Sequence, residues 1–79
     1  MKIKSVYFAL LKEQAGLKEE EWEFQGGTAV DAYRELKEKH RFTLDEHQVK
    51  IAINDAFQPM DTPVKAGDKL VFIPPVAGG

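Results

Sequence analysis

The chain has 79 residues, 43% of them hydrophobic and 30% charged, which predicts a single globular domain with little room for an enclosed active site. It contains no cysteine, which excludes disulfides, thiolate nucleophiles and thiolate metal ligands. Because the net charge is −2 and no apolar run approaches the roughly 20 residues that span a bilayer, we expect a cytoplasmic chain that binds neither nucleic acid nor membrane.

The first half of the chain predicts two strands, a short helical turn and one long helix. Residues 2 to 8 are rich in β-branched and aromatic types, and residues 20 to 25 place Trp and Phe on one side by alternation. Segment 9 to 16 carries leucines and ends in glycine, which favours a short helical turn. Thr28 follows a Gly-Gly breaker as an N-cap, which predicts a helix at about 28 to 40. The apolar stripe of this helix is predicted to comprise Val30, Tyr33 and Leu36, and His40 follows at the same helical spacing.

The second half of the chain predicts further strands separated by turns. Residues 49 to 54 alternate cleanly and end at an Asn-Asp turn, and the two prolines within 59 to 63 allow only a loop or a sheet edge. Residues 66 to 68 are a turn signal before a last strand at 69 to 73. This order predicts the α+β class and a β-grasp, or ubiquitin-like, fold, in which one main helix packs on one face of a mixed sheet of 4-5 strands.

The last strand is apolar on both sides. By alternation Leu70 and Phe72 belong to one face. The residues that alternate with them are also apolar and belong to the other face, which a single long helix does not cover. We therefore expect an exposed patch that binds a partner protein, formed by Phe8, Phe57 and Ile73. The alternative is that segment 9 to 16 or the loop around Met60 folds over these side chains.

Histidine and acidic side chains form no predicted metal site. His40 and His47 lie on opposite sides of the predicted helix end and match no metal-binding spacing, so we interpret both as surface histidines. Segment 18 to 21 is interpreted as a solvated connection and strand edge. The sequence suggests no nucleophilic triad and no paired carboxylates, which indicates a co-substrate rather than a stand-alone catalyst.

The sequence ends in Gly78 and Gly79, directly after an apolar strand and two prolines. Two residues without side chains leave a carboxylate on a backbone that fits a channel too narrow for a Cβ atom. A carboxylate is ionised at pH 7 and is a poor electrophile, so it needs a partner enzyme that uses ATP to form an acyl-adenylate. We therefore predict a β-grasp domain at 1–74 and a flexible diglycine tail at 75–79, with no cofactor bound by the chain itself. The alternative is an inert, frayed end.

Four segments carry a resemblance to a known family. They are Tyr7-Phe8-Ala9, Ala52-Ile53-Asn54, Gly67-Asp68 and the ending Phe72-Ile73-Pro74-Pro75-Val76-Ala77-Gly78-Gly79. On these residues the chain resembles the molybdopterin synthase small-subunit family over its whole length. The Pro-Pro-Val-x-Gly-Gly ending is the most specific part, since Gly-Gly alone also occurs in ubiquitin and its relatives. Family members often carry Ser or Thr at position 77, where alanine removes a possible hydrogen bond.

The resemblance implies a sulfur carrier that is not an enzyme by itself. In this scheme an E1-like adenylating enzyme uses ATP to activate the Gly79 carboxylate, and a sulfur donor converts it to a thiocarboxylate. The tail then enters the large catalytic subunit of molybdopterin synthase, where its sulfur builds the dithiolene of molybdopterin. Gly78 is implied to act with Gly79, whereas Pro75, Val76 and Ala77 thread the channel. Two other functions stay open: a protein modifier joined to lysines, and a thiamine-pathway sulfur carrier, against which the Phe-Ile-Pro-Pro segment argues.

Overall fold

The computed structural model describes residues 1–75 as five strands, two α-helices and a short 3-10 helix. In chain order these are β1 Lys2–Tyr7, α1 Ala9–Ala15, β2 Glu19–Glu23, α2 Ala29–His40, the 3-10 helix Glu46–Gln48, β3 Lys50–Ile53, β4 Ala56–Gln58 and β5 Lys69–Ile73. The predicted elements are all present, with small differences at their ends. β1 stops one residue early because the Phe8 carbonyl accepts hydrogen bonds from the first turn of α1.

The strands form one mixed sheet in the order β2-β1-β5-β3-β4. β1 and β5 run parallel, and the other neighbouring pairs are antiparallel. β5 is last among these strands in sequence but central in the sheet. The parallel register places Tyr7 beside Phe72, so the residues that follow them leave the sheet at the same end. This arrangement confirms the α+β class and the predicted mixed sheet.

α2 packs on one face of the sheet and closes the core. The ring of Tyr33 lies 5.7 Å from the ring of Phe72 on β5, measured between centroids. The buried residues of α2 are Ala29, Ala32, Tyr33 and Leu36. The predicted stripe is therefore right for Tyr33 and Leu36, but Val30 is only half-buried. Alanine side chains take the buried positions in place of Val30, because a small side chain lets a helix approach a sheet more closely.

The start of α2 is fixed by a reciprocal cap. The Thr28 backbone N–H donates to the Asp31 carboxylate at 2.9 Å, and the Asp31 N–H donates to the Thr28 hydroxyl at 3.4 Å. This capping box confirms the predicted N-cap and satisfies backbone donors that a helix start leaves unpaired. Gly27, at φ 132, lies directly against it, and a Cβ there would lie 2.5 Å from an Asp31 carboxylate oxygen.

The loop between β4 and β5 is tied to the first turn of α2. The Ala29 N–H donates to the Thr62 carbonyl at 2.9 Å, and the Val30 N–H donates to the Met60 carbonyl at 2.8 Å. The side chain of Met60 packs against the core. The prolines therefore lie in a loop, as predicted, and this loop belongs to the helix side of the sheet.

Candidate functional site

The face of the sheet opposite α2 keeps the apolar residues that alternation predicts. Leu70 and Phe72 are fully buried, whereas Val71 and Ile73 are half-buried. Met60 packs against the core and lines a hollow with Phe57. Segment 9 to 16 lies beside Ile73, yet Phe8 and Phe57 stay exposed. The uncovered apolar surface is therefore present, while its role in binding a partner stays a prediction.

An apolar row crosses four strands on this open face. The strand register aligns Val6, Val71, Ala52 and Phe57. Phe57 lies on the edge strand β4 and is 73% exposed. A row of this kind is typical of a surface that another protein covers, because large exposed aromatic residues are uncommon on isolated domains.

Two of the three predicted patch residues meet in one hollow beside the end of β5. Phe8 and Ile73 line an open hollow of about 610 Å³, which we name the root groove. Its other lining residues are Ala9, Leu10, Glu13, Leu44, Pro74 and Pro75. Glu13 alone among them is charged. The root groove therefore offers an almost wholly apolar lining where the folded domain meets the residues that precede the tail.

Phe57 is not part of the root groove. It lines a separate open hollow at the β4 edge of the sheet, together with Val49, Pro59, Met60 and neighbouring residues. Phe8 and Ile73 are thus brought together by the fold, and Phe57 is connected to them only through the apolar row. The predicted patch grouped Phe57 with Ile73, but the position of β4 at the sheet edge separates the two residues.

A strained residue shapes one wall of the root groove. Ala9 has φ 49, a left-handed conformation that residues with a Cβ rarely adopt. This conformation turns the chain from β1 into α1 and leaves Phe8 and Leu10 48% and 38% exposed. Strain of this kind persists when the surrounding structure holds it, and it is frequent at functional surfaces.

The loop after α2, which contributes Leu44 to the root groove, is hydrogen-bonded to both α-helices. The Tyr33 hydroxyl donates to the Leu44 carbonyl at 2.7 Å, which ties that residue to α2. Its neighbour Thr43 is joined to Gln14 of α1 by two hydrogen bonds, so the loop after α2 is also tied to the first helix. Burial raises the pKa of Tyr33 to about 12, with the Asp45 carboxylate adding to the effect, so the hydroxyl keeps its proton.

The residues predicted to carry the chemistry lie largely beyond the described part of the chain. Pro75 is exposed and lines the root groove together with Pro74. Val76, Ala77, Gly78 and Gly79 lie outside the described residues. The predicted roles of these five tail residues, and the predicted division at 1–74 and 75–79, remain predictions.

A polar cluster around Glu20, on the helix side of the sheet, was not predicted from the sequence. The Glu20 carboxylate, whose side chain is 15% exposed, accepts hydrogen bonds from the Tyr7 hydroxyl, Lys39 Nζ and His40 Nε2 at 2.5, 2.8 and 2.5 Å. His40 is 10% exposed and packs edge-on against the ring of Tyr7. The interpretation of His40 as a surface residue is therefore wrong. The interpretation of segment 18 to 21 as a solvated connection and strand edge is right for its exposed residues and for the edge position of β2, but wrong for Glu20. The signal available was that Glu20 shares its strand face with Trp22.

The hydrogen bonds decide the charge state of this cluster. Burial by itself raises the pKa of Glu20, but the bonds from Lys39, Tyr7 and His40 outweigh it and lower the pKa to about 2. Burial, together with the same carboxylate, also raises the pKa of Tyr7 above its ordinary range. Glu20 is therefore ionised at neutral pH, where it joins β2 to β1 and to the end of α2.

The described residues contain neither a metal-binding cluster nor a membrane span. No three His, Asp or Glu side chains within residues 1–75 lie together as metal ligands would. No helix in the same part of the chain is long and apolar enough to cross a membrane.

Comparison with protein families and curated proteins yields consistent matches. The model of the ThiS family matches residues 6–79. The molybdopterin synthase sulfur carrier subunit of Haemophilus influenzae is 33% identical over 77 residues, covering 94% of this chain and 95% of that protein. The subunit of the same name from Mycobacterium tuberculosis is 35% identical over 82 residues, covering 100% of this chain and 99% of that protein.

Solved structures agree on the fold but differ in their described roles. SAMP1 from Haloferax volcanii, a small archaeal modifier protein, matches with a TM-score of 0.80 and 27% identity over 100% of both chains. A chain in the complex of subunits 1 and 2 of the molybdopterin-converting factor of Helicobacter pylori matches with a TM-score of 0.68 and 26% identity, also over 100% of both chains. These matches confirm the predicted β-grasp, ubiquitin-like fold.

Proposed function

The chain belongs to the ThiS family, and we propose that it is the sulfur carrier subunit of a molybdopterin synthase. A sulfur carrier of the ThiS type is supported by the family match and by both curated relatives. The observation that carries the finer proposal is the identity of 33% and 35% to two molybdopterin synthase sulfur carrier subunits over nearly the full length of each. The cytoplasmic location expected from the sequence stays a prediction.

The proposed chemistry takes place on the Gly79 carboxylate. In a first step, an oxygen of this carboxylate attacks the α-phosphate of ATP in an E1-like partner enzyme, and pyrophosphate leaves. In a second step, hydrosulfide supplied by the sulfur donor attacks the acyl carbon, the acyl–oxygen bond to AMP breaks, and the products are a thiocarboxylate and AMP. ATP is thus a substrate of the partner enzyme, and the carrier binds no cofactor of its own.

The proposed roles of the folded domain and the tail are to bind the partner and to extend the acyl end into its active site. Residues 75 to 79, if extended, span about 17 Å at roughly 3.4 Å per residue, which is enough to carry the acyl end into a site inside a partner. Pro74 and Pro75 fix the backbone φ near −65°, so the base of the tail loses little entropy when it binds. We propose that the root groove and the apolar row form the surface that the large catalytic subunit covers, with Phe8, Phe57 and Ile73 among its contacts.

This partner is supported by one of the structural matches. The Helicobacter pylori structure is described as a complex of subunit 1 with subunit 2 of a molybdopterin-converting factor. The open face of the present chain exposes two aromatic side chains, Phe8 after the end of β1 and Phe57 on the edge strand β4, and aromatic residues are enriched in protein interfaces. Pro75, Val76 and Ala77 are then the residues that thread the channel of the large subunit, and Gly78 provides the slim approach to Gly79.

A second function is favoured by a separate observation. SAMP1, which is described as a modifier protein, shares 27% identity with this chain over its full length. In a modifier the same acyl-adenylate is attacked by an amine instead of by sulfur, and an isopeptide bond to a lysine forms. The two functions share their first step and differ only in the nucleophile that displaces AMP.

Intact-mass measurement tests the proposal. The chain is incubated with its cognate adenylating enzyme, ATP and a sulfur donor, and we expect the mass gain that corresponds to one oxygen replaced by sulfur. The product is then mixed with the cognate large subunit and the pterin precursor, and we expect the sulfur to leave the carrier. A variant with one alanine added after Gly79 should fail in the first step, whereas Glu35→Ala, a change on the exposed side of α2, should not. Ladders of conjugated proteins without thiocarboxylate would establish the modifier instead.

A further inference from the structure

The walls of the root groove come from distant parts of the sequence. One wall is formed by residues of the segment 8 to 13, a second by Leu44, and the end of β5 with its two prolines completes the lining. Within residues 1–75, one pair of hydrogen-bonded residues links the first wall to the second. Gln14 Nε2 donates to the Thr43 hydroxyl at 2.9 Å, and the Thr43 backbone N–H donates to Gln14 Oε1 at 3.2 Å. Both ends of one amide group are therefore used on one residue, which fixes its position and its orientation. We name this pair the amide clamp.

The amide clamp is placed to set the width of the root groove. Gln14 directly follows Glu13, which lines one wall, and Thr43 directly precedes Leu44, which lines the other. The side chain of Leu44 is half-buried against the core, and its carbonyl is held by the Tyr33 hydroxyl. Leu44 is thus fixed to α2 by the Tyr33 hydroxyl and to α1 through the clamp on its neighbour Thr43. The distance between Leu44 and α1 is therefore set in the free carrier.

The clamp lies outside the core, which separates it from the residues that maintain the fold. Thr43 is exposed and Gln14 is half-buried. Exposed hydrogen bonds between neutral groups add little to folding stability, because water replaces them when they break. The same bonds restrict the relative motion of two surface segments, and that restriction affects binding, since an interface ordered in advance loses less freedom on association.

We propose that Gln14 and Thr43 are positioning residues that hold the root groove open at the width the large subunit requires. The proposal deepens the proposed function and rests on it, since the occupant is the large catalytic subunit to which the carrier delivers its sulfur. The hydrogen bonds of the clamp join Gln14 to Thr43, and the clamp acts through the placement of Leu44 and of α1. Its loss is expected to weaken docking and to leave the transfer step itself unchanged.

The test uses the full-length carrier and its cognate large subunit. Thr43→Val removes the hydroxyl with little change in shape, Thr43→Ser restores it, and Gln14→Ala removes the partner. Gln25→Ala is the matched control, because Gln25 is an exposed glutamine with no side-chain hydrogen bond among the described residues. The dissociation constant is measured by calorimetry, and KM for the thiocarboxylated carrier is measured separately from kcat with the pterin precursor.

We expect Thr43→Val and Gln14→Ala each to raise Kd and KM by about two- to tenfold, the range that corresponds to one or two side chains losing their fixed placement. The value of kcat should stay at that of the unaltered carrier, and Thr43→Ser and Gln25→Ala should bind as the unaltered carrier does. The double variant should bind as Gln14→Ala does, because Gln14→Ala removes both hydrogen bonds of the clamp, whereas Thr43→Val removes only the bond to the hydroxyl.

Three other outcomes count against the proposal in different ways. Unchanged Kd and KM in both clamp variants, together with a lower melting temperature, would show that the clamp only stabilises the fold. A fall in kcat without a change in Kd would place these residues in the transfer step. If the unaltered carrier binds no large subunit at all, the proposed function is wrong and this inference fails with it.

Discussion

The two faces of β5 both carry apolar residues but differ in solvent exposure. Leu70 and Phe72 are completely enclosed beneath α2, whereas Val71 and Ile73 stay half-exposed on the open face. A strand of five residues is therefore divided between a face that α2 covers and a face that stays open. The difference teaches that hydrophobicity alone does not assign a residue to the core; the presence of a covering element does.

The largest expected effect tests the covered face. Phe72 is fully buried and contacts the aromatic rings of Tyr7 and Tyr33. We expect Phe72→Ala to lower the free energy of unfolding by about 3–5 kcal/mol, since it removes buried contacts and leaves a cavity. Urea denaturation followed by circular dichroism measures the loss. Val71→Ala on the open face is the control, and an equal loss there would mean that the two faces do not differ.

The polar cluster on the covered side should make folding sensitive to acid. The pKa of Glu20 is about 2 in the folded chain, below its ordinary value of 4.5, so the stabilisation is complete above about pH 4.5 and is lost as the pH falls towards 2. We expect Glu20→Gln to destabilise the chain by about 2 kcal/mol at pH 7 and to flatten this acid dependence.

Urea midpoints measured at pH 7 and at pH 3 check this prediction. Glu21→Gln is the matched control, because Glu21 is its exposed neighbour on β2. A steep acid dependence that survives in Glu20→Gln would assign the effect to other carboxylates.

The open face should respond in binding more than in folding. Ile73 is half-buried and lines the root groove, so Ile73→Asp places a charge where a partner must exclude water. We expect binding of the large subunit to weaken by about 2 kcal/mol, with a much smaller change in unfolding free energy. Calorimetric titration with the subunit and thermal melting of the free carrier measure the two quantities.

Phe57→Asp gives the comparison within the open face, since this residue is 73% exposed and lies outside the root groove. Unfolding of Ile73→Asp at room temperature would show that residue 73 belongs to the core and would remove the contrast between the faces.

The smallest expected effect concerns the helix that creates the covered face. A Cβ at Gly27 would collide with the Asp31 carboxylate of the capping box, and the backbone φ of 132 also disfavours alanine. We expect Gly27→Ala to lower the unfolding free energy by about 1–2 kcal/mol through loss of the cap. Gly67→Ala separates strain from collision, because Gly67 has φ 83 but no atoms within 4 Å of its would-be Cβ. Equal losses in the two variants would show that backbone strain alone is responsible.

Much of the fold could be predicted because its signals are local. The cap joins Thr28 and Asp31, which are three positions apart, and the alternation of Leu70 and Phe72 depends only on the geometry of an extended chain. Element types and the α+β class follow from such short-range patterns, and so does the expectation that one face of β5 stays uncovered. The limit of these patterns appears already in α2, where Val30 is apolar but the helix turns alanine towards the sheet.

The candidate site was predicted in part for the same reason. Phe8 follows β1 and Ile73 ends β5, and both strands were predicted, but the meeting of the two residues in one groove depends on the parallel register of β1 and β5. The link between Gln14 and Thr43 joins residues 29 positions apart, and Glu20 and His40 are 20 positions apart. No local pattern reports such pairs.

By itself, then, the sequence determined the elements, their caps, the apolar character of both faces of β5 and the glycine-rich ending that carries the family resemblance. Only the tertiary structure decided that Glu20 and His40 leave solvent together, that Phe57 stands apart from the root groove, and that an amide clamp joins its walls. The physical reason is that backbone geometry is set by neighbouring residues, whereas the partner of a side chain is set by the order and register of strands far apart in the chain.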